Sequence, residues 1–208
     1  MRFGTKAIRS GQEPDPITGA VVPPIHMAST YVQQKVGELK AGWEYARSGN
    51  PTRGALERSI AALENAQYGL AFASGMAAET AVSSLVRTGE HIVATKDIYG
   101  GTFRLFRHLR EKYGIESTYA DFTDLNRVEE AFTPNTRLVW IESPSNPTLV
   151  VLDIAAIAEL AHRRNALLVV DNTFASPYLQ TPLDLGADIV LHSTTKYIGG
   201  HSDLIAGA

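Results

Sequence analysis

Arg137-Leu138-Val139-Trp140-Ile141-Glu142-Ser143-Pro144-Ser145-Asn146-Pro147 is followed, after an amphipathic stretch at 153–164, by Ala166-Leu167-Leu168-Val169-Val170-Asp171-Asn172-Thr173. The two apolar runs are continuous rather than alternating and are bounded by polar or proline-rich turns. That is the pattern of strands buried on both faces. A strand at 137–142, a helix at 153–164 and a strand at 166–170 make one unit of a parallel sheet with helices on both faces. The same alternation extends in both directions. Upstream it predicts a strand at His91–Thr95, a helix striped by Leu105, Phe106, Leu109 and Tyr113, a strand at 115–119 and a helix at 124–132. Downstream the last strand is Ala187–Leu191. Further upstream, Asn50-Pro51 is a cap followed by a proline at the first helical position, with Leu56, Ile60 and Leu63 at helical spacing. Gly69–Ala73 reads as a short buried strand, and Ser74-Gly75-Met76 opens an alanine-rich helix running to about Arg87.

The first fifty residues differ. Pro14, Pro16, Pro23 and Pro24, with Gly11, Gly19, Gly37 and Gly42, break any long period. Yet Ile25, Tyr31, Val32, Trp43 and Tyr45 give this segment too much apolar surface for a simple disordered tail. The expectation is an arm at 1–50 that docks on a neighbouring subunit, followed by one α/β domain at 51–208.

Composition narrows the function classes. Of 208 residues 44% are hydrophobic, enough for a chain of this size to bury roughly 70% of its unfolded surface. Nineteen Lys and Arg against 22 Asp and Glu leave a net charge of −3, which gives no electrostatic reason to expect nucleic acid or an anionic membrane as partner. The apolar runs are of strand length, far below the ~18 residues of a membrane helix. Met1-Arg2-Phe3-Gly4-Thr5-Lys6 leads into no apolar signal segment, so a cytoplasmic protein is expected. Cysteine is absent, excluding disulfides, thiolate metal sites and cysteine nucleophiles. The six histidines show no metal-ligand spacing, and no metal is expected.

In open parallel sheets ligands bind beyond the carboxyl ends of the strands. Five turns at such positions hold small, polar or aromatic residues: Ser74-Gly75-Met76, Asp97-Ile98-Tyr99-Gly100-Gly101, Glu142 to Pro147, Asp171-Asn172-Thr173 and His192-Ser193-Thr194-Thr195-Lys196. Neither the Gly-x-Gly-x-x-Gly dinucleotide fingerprint nor a P-loop is present, which argues against a nicotinamide-dependent oxidoreductase. Ser74-Gly75-Met76 can instead offer helix N-terminal amides to a phosphate, because Gly75 lacks a bulky Cβ. Lys196 stands among hydroxyls and glycines, 25 residues beyond Asp171. An amine that joins an aldehyde and an acid that keeps a pyridine nitrogen protonated are the pair that pyridoxal phosphate chemistry requires. Taken singly, each residue has a plainer use: a surface lysine, a turn-capping aspartate, a core-edge tyrosine.

Together, the motifs Tyr45-Ala46-Arg47-Ser48-Gly49-Asn50-Pro51-Thr52, Ser74-Gly75-Met76-Ala77-Ala78, Asp97-Ile98-Tyr99-Gly100-Gly101-Thr102, Asp171-Asn172-Thr173-Phe174 and His192 to Asp203 resemble the Cys/Met-metabolism family of pyridoxal-phosphate enzymes. This is the group of cystathionine γ-synthases, γ-lyases and β-lyases and methionine γ-lyases. The resemblance runs through essentially the whole chain. It implies the type I, aminotransferase-like fold of PLP-dependent transferases, with a family C-terminal domain expected to be missing from this chain. It also assigns roles. Lys196 would hold the cofactor and move protons, Asp171 would pair with the ring nitrogen, and Tyr99 would stack on the ring and could transfer protons. The Gly75 and Met76 amides and the Ser193 and Thr195 hydroxyls would bind phosphate. Asn146 would contact the phenolic oxygen or the substrate carboxylate, and Thr173 falls in the cofactor-binding set. Tyr45 and Arg47 would reach the phosphate of a neighbouring subunit, in a homotetramer of active-site-sharing dimers.

The reaction so implied is transsulfuration. The stretch Gly37 to Tyr45 and the Lys196 loop look most like bacterial γ-synthases, which join cysteine to O-acyl-homoserine to give cystathionine. A γ-lyase acting on cystathionine, another family lyase or a cofactor-binding fragment without turnover remain alternatives.

Overall fold

The computed structural model describes residues 1–208, which divide into two compact units, Met1–Ala71 and Phe72–Ala208. The second unit is built on five parallel strands: β3 (His91–Thr95), β4 (Glu116–Ala120), β5 (Thr136–Glu142), β6 (Leu167–Asp171) and β7 (Ile189–Leu191). Their order across the sheet is β4-β3-β5-β6-β7, all neighbours running parallel. Successive strand side chains point to opposite faces, and here both faces are covered. Ile92, Ala94, Leu138, Trp140, Val169 and Leu191 pack with Ala78 and Phe106, which come from helices α3 (Gly75–Ser83) and α4 (Gly100–Tyr113). Val93, Val139, Ile141, Leu168 and Val170 pack on the other side with Val128 of α5 (Leu125–Glu130) and with Ile154, Ile157, Leu160 and Ala161 of α6 (Ile154–Arg163). That is why these strands read as unbroken apolar runs. At the centre of the first face Phe106 meets Trp140 edge-on, ring centroids 5.2 Å apart.

The element order and the mostly parallel sheet agree with expectation, with boundaries moved by one or two residues in most elements. Two differences are larger. Gly69–Ala73 is not a buried strand: Leu70 is exposed, and only Phe72 pairs, through a single antiparallel bridge to Gly207. The helix after Ser74 ends at Ser83, well short of Arg87, because the Ser84 hydroxyl turns back to the Ala81 carbonyl at 2.6 Å and competes with the helical ladder. After β7 the chain passes through a turn-laden loop and returns, so that His192 exchanges backbone hydrogen bonds with Ala208 and Phe72 with Gly207.

The first unit holds α1 (Phe3–Arg9), a two-stranded ribbon of β1 (Gln33–Lys35) and β2 (Glu38–Leu39), and α2 (Pro51–Leu63). Helix α2 therefore groups with the N-terminal segment. Asn50 caps it as expected, its side-chain oxygen accepting from the Thr52 and Arg53 N–H groups. Gly11, at φ +72°, lies so close to α2 that a Cβ would meet the Ser59 nitrogen at 2.8 Å. Tyr31 and Trp43 pack on each other, whereas Ile25 and Val32 stay more than three-quarters exposed. No helix in the structure is long and apolar enough to cross a membrane.

Candidate active site

The carboxyl ends of the strands and the start of α3 bring most of the predicted residues together. Ser74 caps α3 by accepting from the Ala77 N–H at 3.1 Å. The Gly75 and Met76 N–H groups, first in the helix, donate to nothing in the chain and remain available to an anion. Gly75 lies against Ser193, where a Cβ would stand 2.9 Å from the serine Cβ. The turn after β7 is thus pressed onto the helix start, and the Ser193 hydroxyl is uncommitted. Gly207 closes the other side, since a Cβ there would run into the Gly75 nitrogen at 2.7 Å.

Asp171 ends β6 and is buried. Both hydrogen bonds it accepts land on Oδ1, from the Thr173 N–H at 2.9 Å and the Thr173 hydroxyl at 2.5 Å. Oδ2 is left as a free acceptor. The Thr173 oxygen in turn accepts from the Ser193 N–H at 2.8 Å, so one threonine ties the acid to the turn after β7. Thr195 gives its proton to the Ala206 carbonyl and accepts from the Ala206 N–H, both at 3.1 Å. It holds the turn, and its hydroxyl proton is already engaged. Lys196 follows, its N–H donating to the Ser193 carbonyl at 3.1 Å, with an exposed side chain whose amine makes no ion pair. Tyr99 precedes α4, and its ring occupies the space where a Cβ on Gly101 would have to sit, beside the Met76 sulfur.

Two residues outside the predicted set shape this region. Glu142, at the end of β5, pairs in register with Asp171. Its Oε2 accepts from the Tyr99 N–H and its Oε1 from the Asn146 N–H, each at 2.8 Å. Glu79 is buried in α3 with one carboxyl oxygen lacking a partner. Burial, with the Asp171 charge as a lesser cause, pushes Glu142 up to about 8 despite its two backbone donors. Burial likewise pushes Glu79 up to about 7, against a hydrogen bond from Thr102 and with Asp171 adding to the rise. Asp171 is itself raised by burial, opposed by its Thr173 bonds and by His192. A charged residue closing an apolar run was the available sequence signal for Glu142; for Glu79, inside an alanine-rich helix, only its place on the buried side gives it away.

Tyr45 and Arg47 belong to the first unit. The Arg47 guanidinium lies over the Tyr45 ring, 4.7 Å from its centre, and both side chains are exposed.

Known proteins resemble this chain in sequence and fold. Residues 4–208 match the family model described as Cys/Met metabolism PLP-dependent enzyme. A cystathionine gamma-synthase of Mycobacterium bovis is 55% identical over 98% of this chain and 53% of its own length. A cystathionine beta-lyase of Coxiella burnetii is 53% identical over 98% of this chain and 52% of its own. The solved structure of cystathionine gamma-lyase from Lactobacillus plantarum, complexed with L-serine, superposes with a TM-score of 0.96 at 52% identity, covering all of this chain and 54% of that one. The chain spans about half the length of the curated relatives it matches. Fold, motifs and likeness agree: this chain belongs to the Cys/Met metabolism family of PLP-dependent enzymes.

Proposed function

We propose that the protein joins cysteine to the γ carbon of an O-acylated homoserine, forming cystathionine and releasing the acyl group as a carboxylate. Pyridoxal phosphate is the family's cofactor, and the residues present fit it. Free amides at Gly75 and Met76, an uncommitted Ser193 hydroxyl and the gap kept by Gly75 form a cradle for a phosphate. The single observation that carries the reading is Asp171: a buried acid with both bonds on one oxygen and the other oxygen free, bonded through Thr173 to that cradle. Bound there, the cofactor supplies an electron sink for negative charge developing at the substrate α carbon.

The chain's own residues do the rest. Asp171 stabilises a protonated ring nitrogen. Tyr99 covers the ring face, and Asn146 meets the phenolic oxygen or the substrate carboxylate. Lys196, with its free amine, anchors the cofactor and takes the proton first from the α carbon and then from the β carbon. The acyl group then leaves the γ carbon as a carboxylate, the cysteine sulfur bonds there as its own proton is released, and the amine returns protons to the β and then the α carbon. Tyr45 and Arg47 serve a neighbouring copy: Arg suits a phosphate because its planar fork donates in pairs. The exposed Ile25 and Val32 of the same unit support a docked arm in a tetramer of site-sharing dimers. A cytoplasmic setting, with amino acids as the only substrates, completes the proposal.

The alternative is γ-elimination of cystathionine to cysteine, 2-oxobutanoate and ammonia. It uses the same residues, and the relatives carry synthase and lyase names at similar identity. Incubating the full-length protein with O-succinyl- or O-acetylhomoserine plus cysteine, and separately with cystathionine, decides. Cystathionine from the first mixture supports the proposal; 2-oxobutanoate from the second alone overturns it. Site sharing has its own check. Inactive Arg47→Ala and Lys196→Ala proteins, mixed under subunit exchange, regain part of the activity if the arm serves a neighbour and none if it serves its own chain.

A further inference from the structure

Each oxygen of Glu142 binds a different turn. One oxygen accepts from the backbone of Tyr99 at the start of α4, the other from the backbone of Asn146 in the turn after β5, both at 2.8 Å. The side chain is buried, 5% exposed, and no cation offsets it in the chain. A buried acid beside another buried acid is a poor choice if the only need is to fill space. What it does that an apolar residue cannot is bind two N–H groups that lie 47 residues apart in sequence, in the turns that follow the adjacent strands β3 and β5. These are the backbone atoms of the two side chains assigned to opposite contacts with the cofactor ring.

We propose that Glu142 is a positioning residue that locks the Tyr99 turn and the Asn146 turn to each other, so that ring cover and oxygen contact are aligned before the cofactor binds. The inference rests on the assignment of Tyr99 and Asn146 under the proposed function. It differs from a plain structural role in one respect: it acts on the cofactor through those two residues only.

Glu142→Gln keeps the shape but turns one acceptor into an NH2 that faces an N–H, releasing one of the turns. In the full-length protein, titration with pyridoxal phosphate followed by visible absorbance and visible circular dichroism is expected to show affinity falling about tenfold or more, with an altered dichroic band. In a Tyr99→Ala/Asn146→Ala background the same change should alter affinity by less than about twofold, because nothing is left to position. Equal weakening in both backgrounds, or unchanged affinity and dichroism in the first, overturns the inference. If the glutamine variant does not fold, Glu142→Asp, which keeps the carboxyl group but shortens the reach, takes its place with the same two outcomes. Failure of the unaltered protein to bind pyridoxal phosphate at all would instead overturn the site assignment, and this inference with it.

Discussion

At the amino ends of the strands His91 is buried with both ring nitrogens paired, to the Thr136 hydroxyl at 2.8 Å and the Thr118 hydroxyl at 2.9 Å. At the carboxyl ends Glu142 and Asp171 are buried in register on adjacent strands, with Glu79 of α3 also interacting electrostatically with both. The first cluster is neutral and its hydrogen bonds close on themselves, since Thr136 also accepts from the Thr133 N–H. The second gathers like charges, leaves an oxygen of Glu79 without a partner and pushes its acids upward. Buried polar groups with all partners present stabilise a fold; acids raised by burial, and less by one another, weaken it and are characteristic of places where a ligand completes the set. One sheet therefore has an end whose polar groups are satisfied and an end whose buried acids are not.

The sharpest way to break this contrast is to remove the amine. Lys196→Ala is expected to abolish turnover, and borohydride reduction of the unaltered protein followed by peptide mapping should find the cofactor on Lys196. Label on Lys96 or Lys6 would refute the placement of the chemistry. Lys96 already has a different use, an exposed ion pair with Asp121 at 2.7 Å. Next in size is Asp171→Asn, which keeps the shape but cannot hold a proton on the ring nitrogen. Exchange of the substrate α proton with solvent should slow by about a hundredfold or more, while cofactor affinity changes much less. Near-normal exchange would mean that another group supports the ring nitrogen.

How far the contrast was legible in the sequence follows from what each residue needs. Strands buried on both faces leave continuous apolar runs, so β3, β5 and β6 were readable from composition alone. Their carboxyl-end turns were readable too, because a polar or glycine-rich break after such a run has few other uses. Gly69–Ala73 failed as a strand because an apolar run can equally cross a surface; only its exposed Leu70 and its single bridge at Phe72 separate the two cases. Thr173 was legible as a neighbour of Asp171, but its tie to Ser193 depends on two turns meeting in space. Glu79 and the return of Gly207 onto Ser74 depend on tertiary contact in the same way, and no local pattern announces them.

A third test separates the ends by pH. The Glu79 carboxyl has its ordinary value near 4.5 when unfolded and about 7 when folded. Folding therefore binds a proton between those values, and stability falls as pH rises from 4.5 through 7. Above that window the cost of ionising Glu79 in the folded chain is roughly 3 kcal/mol. Glu79→Gln cannot ionise. In chemical denaturation without cofactor it should be more stable than the unaltered protein by a few kcal/mol at pH 8 and by little at pH 4.5. An equal difference at both values would show that Glu79 does not titrate on folding.

The smallest effect belongs to the other end and has the opposite sign. Burial lowers the His91 pKa below its ordinary 6.5, with Glu116 opposing the fall. The unfolded chain then takes up a proton before the folded one as pH drops through 6.5, so His91 makes stability decline toward acid, where Glu79 makes it rise. The geometry gives the reason. A neutral ring has one donor and one acceptor, and the two threonine hydroxyls can meet both; a protonated ring has two donors, forcing the Thr136 hydroxyl to turn its own proton elsewhere while still accepting from Thr133. His91→Ala should cost about 1–3 kcal/mol at pH 7.5, by leaving those hydroxyls without the ring. The loss should shrink as pH falls below 6.5, where the unaltered protein gives up part of the same stability. Substrate turnover at pH 7.5 should stay near normal, because His91 lies at the opposite ends of the strands from Asp171 and Glu142. A large fall in turnover, with the variant still folded, would show that the two ends of the sheet are coupled and that the contrast between them is incomplete.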